Sequence, residues 1–279
     1  MTQTVTRPRT PFMKGGPESL FRVGPITNDR DLTRGSMRTG DWMLTRDGQP
    51  CWGSLGVLAD DILGYAVVAE RPEGHWAVST EISVDFCSEL PVDGTSLHAE
   101  SHAVEFDLVG GLSTGRIVDR LGRTIALGSE RVRFVPETPA APAYSITEGD
   151  SLEPGALTGS NRLSTADLLG AVVRATDGGA TLELTAGLDL SNPMHNLHGG
   201  ISLCASEIAG LAALQSSSHP LVTASIHIAY LRPVLLDGRV SFSATALHRG
   251  RTLGVARVTG HNSAGQACTI ATVTCHQPW

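Results

Sequence analysis

Residues 195–214 read HNLHGGISLCASEIAGLAAL, and residues 51–70 read CWGSLGVLADDILGYAVVAE. Each stretch opens on a glycine-containing turn and runs on as apolar sequence too long for an ordinary strand, which predicts a helix. Each also carries acid: Glu207 in one, Asp60 and Asp61 in the other. An unpaired carboxylate in an apolar interior costs on the order of several kcal/mol even after relaxation. These acids therefore face water, have partners, or do chemistry. Superposed without gaps, the stretches place Trp52 on His198, Gly53 on Gly199, Asp61 on Glu207 and Gly64 on Gly210.

The correspondence extends on both sides. A strand-like segment precedes each helix, DWMLT at 41–45 and TLELTA at 181–186. After each helix comes period-2 alternation. HWAVSTEISVDFCSELPVDG (75–94) matches HPLVTASIHIAYLRPVLLDG (219–238), with Ser79 on Thr223 and Phe86 on Tyr230. The final strands match too, around hairpin turns at Asp119–Gly122 and Asn262–Gly265. The fold class is α+β: one central helix followed by a largely antiparallel sheet, present twice. An internal pair in one chain implies a fused dimer, an intramolecular pseudo-dimer. Residues 1–18 read as a mobile N-terminal arm, 19–135 as the first unit, 136–159, with its four prolines, as a linker, and 160–279 as the second unit.

Composition narrows the function. The net charge is −7, whereas a protein that grips a phosphate backbone is usually basic, so nucleic acid is not expected as a partner. The N-terminus lacks an apolar signal core, and no run of about 18 apolar residues predicts a membrane span. A cytoplasmic protein is expected. The five cysteines show no Cys-x-x-Cys spacing and read as reduced, small hydrophobic residues, with no metal site among them.

Asn192, His198-Gly199-Gly200, an acid nine residues after the histidine, and a strand running into AYLRPVLLDG resemble the hotdog-fold acyl-CoA thioesterases of the phenylacetic-acid-degradation type. The resemblance covers 160–279 and, in degenerate form, about 36–136. It implies two tandem hotdog units, each a long helix wrapped by a curved sheet. It implies an acyl-CoA substrate, coenzyme A being part of that substrate, with no cofactor and no metal, and homo-oligomers of whole chains. It also implies composite sites, in which the asparagine and glycine loop of one half meets the helix acid and strand hydroxyl of the other. One such site would join Asn192, His198 and Gly199, with Gly200 beside them, to Asp61 and Ser79. The other would join Glu207 and Thr223 to a degraded loop, with Arg46 at the asparagine position, Trp52 at the histidine position and Gly53 surviving.

The residue types suit thioester hydrolysis. A helix N-terminus with free N–H groups polarises a carbonyl; the segment His198-Gly199-Gly200 supplies one, and the resemblance implies that the Gly199 N–H holds the thioester oxygen. A carboxylate in an apolar wall acts as base or nucleophile; the repeat selects Asp61, with Asp60 about 100° around the helix. Arg249 and Arg251, in HRGR at 248–251, are candidates for the coenzyme A phosphates. Two rival readings remain at this stage. DLSNPMH at 189–195 is similar to the loop of R-specific enoyl-CoA hydratases, but differs by one residue in spacing and lacks the preceding glycine. A non-catalytic acyl-CoA-binding protein is the other; release of free thiol separates both from a thioesterase.

Overall fold

The computed structural model describes residues 16–29, 32–136, 163–215 and 220–278. Most of the expected arm and almost all of the expected linker lie outside the described residues.

Twelve strands form one sheet: β1 (Thr27–Asp29), β2 (Leu32–Arg38), β3 (His75–Phe86), β4 (Ser96–Phe106), β5 (Gly110–Val118), β6 (Thr124–Pro136), β7 (Val172–Thr176), β8 (Gly179–Thr185), β9 (Val222–Tyr230), β10 (Arg239–Arg249), β11 (Leu253–His261) and β12 (Ala267–His276). Their order is β1-β2-β4-β5-β6-β3-β9-β12-β11-β10-β8-β7. The halves meet at the antiparallel β3–β9 pair, with Ile82 opposite Ile228. Short helices α1 (Pro17–Leu20) and α3 (Thr165–Leu168) accompany two long ones, α2 (Gly56–Val68) and α4 (Gly199–Leu214). None of the helices is long and apolar enough to cross a membrane.

The two long helices are apolar on nearly all sides because the sheet covers one face and the partner helix another. They approach so closely that a Cβ on Gly56 would run into the Gly200 carbonyl, and one on Gly200 into that of Gly56. Glycine at this crossing removes the side-chain layer between the backbones.

The duplication is written into the bulges. Thr80 is the extra residue where β3 pairs with β6, and Ala224 is the extra residue where β9 pairs with β12. Val104 and Leu247 occupy the same place in the β4–β5 and β10–β11 pairs. The hairpin turns also match. The carboxylate of Asp119 accepts the N–H groups of Leu121 and Arg123, and the amide oxygen of Asn262 those of Ala264 and Gln266. Gly122 and Gly265 supply the positive φ each turn needs.

Two expectations change. Residues 41–45 do not form a strand: Asp41–Met43 is a 3-10 turn. Trp42 and Met43 are both buried, which a one-faced strand forbids, and Trp42 meets the edge of Phe21 at 5.6 Å. The packed chain also starts before residue 19, since Pro17 and Glu18 in α1 are buried.

Candidate active site

At the head of α4, His198 is the N-cap, with β-like ψ, and its carbonyl accepts the N–H groups of Ile201 and Ser202. The Gly200 N–H points at Asp60 Oδ2, 2.8 Å away across the helix pair, and lies 3.1 Å from His198 Nδ1 of its own cap. The Gly199 N–H has no acceptor among the described residues and lines a cavity of about 550 Å³. An unpaired N–H at a helix N-terminus is a ready site for a developing negative charge.

Asp60 is the hub. Its Oδ2 also lies 2.9 Å from His198 Nδ1, and its Oδ1 accepts the Ser79 hydroxyl at 3.1 Å. The bulge at Thr80 re-aims the strand beside Ser79, a frequent device next to active sites. Asp61 takes only the other ring nitrogen, with Oδ1 at 3.2 Å from Nε2. Its Oδ2 has no hydrogen-bond partner among the described residues. Asp60 and Asp61 both line the cavity, and Asp60 is the more open of the two, retaining 11% of its side-chain exposure against 3% for Asp61.

Burial alone would drive the imidazole neutral, but Asp60 and Asp61 outweigh it and raise His198 well above its ordinary pKa. This draws the ring toward the imidazolium form, with a carboxylate facing each nitrogen. Burial raises Asp61, and His198 opposes that rise.

The repeat alignment thus slips by one residue across the helices. A Cβ on Gly53 would touch Cys204 Cα at 2.8 Å, and one on Gly200 would touch Val57 Cα at 2.6 Å. Those are equivalent contacts only if Gly53 matches Gly200 and Val57 matches Cys204. The same register puts Cys51 on His198, Trp52 on Gly199 and Asp60, not Asp61, on Glu207. The contacts agree: Glu207 accepts from Thr223 at 2.5 Å and from Cys51 Sγ at 3.4 Å, and the backbone of Gly53 and Trp52 turns to it. Asp60 does the same with Ser79, His198 and Gly200. The asparagine position moves as well. The Thr45 hydroxyl accepts the Gln49 N–H, as Asn192 Oδ1 accepts that of Asn196. Arg46 instead pairs with Asp167 at 2.6 Å.

The second set of residues is therefore assembled, but its pocket is filled. Trp52, in the place of Gly199, is 1% exposed and stacks on Phe86 at 4.9 Å. In the first site the Phe86 counterpart, Tyr230, instead donates its hydroxyl to the Gly199 carbonyl at 2.8 Å. Burial raises Glu207, and its hydrogen-bond donors pull it back.

Asn192 lines the cavity, but its Oδ1 is committed to the Met194 and Asn196 N–H groups, so only its amide nitrogen is left to address a ligand. Arg249 and Arg251 do not line the cavity. Arg249 pairs with Asp177 and holds the Gln215 carbonyl at the C-terminal end of α4, about 24 Å along the helix from Gly199. The cation at the cavity wall is Arg232. The apolar wall includes Tyr65, Val68, Trp76, Val132, Leu197 and Val234.

Two site acids escaped the sequence reading. Glu130 is fully buried at the cavity, with neither oxygen hydrogen-bonded among the described residues, and burial and then Asp60 hold it well above the carboxylate range. A signal existed: Glu130, Val132 and Phe134 share the inward phase of β6. Glu18 lies against Asp61 and His198 and carried no such signal. One ligand-type atom from each of Glu18, Asp61 and His198 falls within 4.8 Å of the others, a spacing a divalent cation also uses. Both His198 nitrogens also face carboxylates, Nδ1 that of Asp60 and Nε2 that of Asp61.

A single sheet wrapped around two long helices, with a helix-terminal N–H, a bridging carboxylate and a cavity between the halves, defines a tandem hotdog thioesterase. The family comparisons agree: residues 194–269 match the thioesterase superfamily, and residues 6–134 match the acyl-CoA thioesterase C-terminal domain. The chain belongs to the thioesterase superfamily and is a thioester hydrolase. No curated protein matches the sequence. Among solved structures, it is similar to a tesB protein of Mycobacterium avium subspecies paratuberculosis, with 10% identity over 91% of this chain and 96% of that one and a TM-score of 0.61. An acyl-CoA thioesterase II from Mycobacterium marinum gives 8% identity, 95% and 98% coverage and a TM-score of 0.60. An acyl-ACP thioesterase from Bacteroides thetaiotaomicron gives 12%, 88% and 98%, and 0.53. At these identities the likeness shows the shared fold.

Proposed function

We propose that the chain hydrolyses a fatty or aryl acyl-CoA at one composite site between its halves, with Asp60 in place of Asp61 as the working carboxylate. The observation that carries this is the Asp60 carboxylate, 2.8 Å from the Gly200 N–H and beside the unpaired Gly199 N–H at the cavity wall. The thioester carbonyl oxygen takes the Gly199 N–H, where the helix terminus favours the charge that develops. Asp60 takes a proton from water held with Ser79, or attacks the carbonyl carbon itself. The tetrahedral intermediate then expels the coenzyme A thiolate, which takes the proton from Asp60 on the water route; on the direct route the mixed anhydride left on Asp60 is hydrolysed by water. His198, an imidazolium between two carboxylates, fixes Asp60 and offsets its charge. Asn192 shapes the loop, and Arg232 is the cation available to the coenzyme A phosphates.

The reading includes a cytoplasmic protein, whole chains associating further, and no role for nucleic acid. The hydratase alternative fits the geometry less well: Asp189 is exposed, and neither it nor His195 lines the cavity. The test is thiol release across short, medium, long and aryl acyl-CoAs, with a trans-2-enoyl-CoA included. Release of thiol supports hydrolysis; loss of the double bond without thiol, or tight binding with neither, rejects it.

A further inference from the structure

Glu18 has no place in the reaction just described, yet it is 1% exposed and abuts the site. Its Oε2 and Asp61 Oδ2 are both buried without a hydrogen-bond partner among the described residues. The pocket already sets two carboxyl groups, Asp60 and Asp61, against the single His198 ring. A further buried anion beside Asp61 would be strongly disfavoured. Two orphaned carboxyl oxygens in one pocket are explained together if one group holds a proton, since a carboxylic acid is a donor and a carboxylate is not.

We infer that Glu18, as a carboxylic acid, is a positioning residue of the hydrolytic site proposed above: it donates to Asp61 Oδ2, keeps Asp61 ionised on His198 Nε2, and thereby holds the imidazolium that orients Asp60. The chain of contacts is Glu18–Asp61–His198–Asp60–Ser79, begun by a segment outside both repeats. The groups facing Glu18 are Asp60, Asp61 and Tyr65 from α2, His198 from the cap of α4, and its own backbone N–H. Burial is the main reason Glu18 keeps its proton; Asp61 adds to it and His198 opposes it, leaving a pKa of about 8. No bond to carbon is made or broken: the proton stays on Glu18 until alkaline pH removes it. Two adjacent anions then compete for His198, and the orientation of Asp60 is lost.

The test uses the full chain, with kcat/KM measured from pH 6 to 10 for the wild type, Glu18→Gln and Glu18→Ala. The wild type should fall by about tenfold per pH unit above pH 8. Glu18→Gln keeps a donor and should retain most of the neutral rate while losing that alkaline limb. Glu18→Ala, with no donor, should fall about tenfold at pH 7. Ring-nitrogen NMR of His198 gives a readout independent of turnover: a second inflection near pH 8 in the wild type, absent in Glu18→Gln. That titration decides the role of Glu18 even if no acyl-CoA is hydrolysed, an outcome that would reject the activity alone. Identical pH responses of the wild type and Glu18→Gln in both measurements would overturn the inference, as would a stoichiometric divalent metal in the purified protein.

Discussion

Asp60→Asn separates the working carboxylate from its neighbour. Asparagine is nearly isosteric: its amide oxygen can take the Oδ2 place and accept the Gly200 N–H now at 2.8 Å, while its NH2 donates to the Ser79 hydroxyl, now a donor at 3.1 Å, which turns to accept. The helix pair should therefore stay closed and the far-UV circular dichroism unchanged. What disappears is the charge: an amide cannot take a proton from water or attack a thioester. Loss of a positioned general base is worth about 10² to 10⁴ in rate, roughly 2.7 to 5.4 kcal/mol of activation free energy. The loss should appear in kcat with KM within a few-fold, because the Gly199 N–H and the apolar wall remain. Asp61→Asn, which touches the reaction only through His198 Nε2, should lose about tenfold, near 1.4 kcal/mol. Glu207→Gln, facing the stacked Trp52, should leave turnover unchanged. The assay is continuous thiol release with a chromogenic reagent at saturating and limiting substrate. An Asp60→Asn enzyme within threefold of wild type, or an Asp61→Asn enzyme slower than Asp60→Asn, would refute the assignment and return the role to Asp61.

A methyl group on Gly199 would sit 2.8 Å from Asp60 Oδ2, so Gly199→Ala should displace the carboxylate and lower kcat by tenfold or more with little change in melting temperature. Gly200→Ala meets backbone instead, at Gly56 and Val57; the helices must part, and urea titration should show a loss of about 1–3 kcal/mol or more. Trp52→Gly should lose about 3–5 kcal/mol by vacating the stack on Phe86. Combined with Asp60→Asn it should restore no thiol release, because Cys51 and Thr45 stand where the working site has His198 and Asn192. Glu18 goes from 4.5 to about 8 on folding, so the folded state holds the proton over that interval and loses stability as pH rises from 4.5 to 8, on the order of 5 kcal/mol in all. Glu18→Gln should therefore raise the melting temperature at pH 8 and barely at pH 4. His198 acts in the same direction over a higher range, its stabilisation complete below about 6.5 and lost only at pH values well above that. Melting curves of His198→Gln against pH, with the difference largest in acid, check it.

The duplication, the α+β class and the strand register were legible because strands announce their faces. Ser79 and Thr223 align from alternation alone, and the bulges at Thr80 and Ala224 fall at that same offset. The helices gave no such anchor. Both are apolar on nearly all sides, so a shift of one residue changes no burial pattern, and matching glycine to glycine chose the wrong register. The reason lies in the loop's residue types. The spacing itself carries over, Thr45, Cys51 and Asp60 standing as Asn192, His198 and Glu207 do, but Thr45 and Cys51 do not keep the types of their counterparts, and Gly53 corresponds to Gly200 and not to Gly199. The first half also enters α2 through a 3-10 turn, Trp52–Leu55, whereas His198 caps α4 directly. Glu18 was illegible for another reason: nothing in a four-residue helix after a polar segment indicates that its acid will be buried by a partner 43 positions away at Asp61. The same register explains why one site could be lost. In a symmetric dimer, a bulky residue at the Gly199 position would close both sites at once. In a fused chain, Trp52 closes one site and adds an aromatic stack to the core, while Asp60, on the same half, goes on serving the glycine loop of the other.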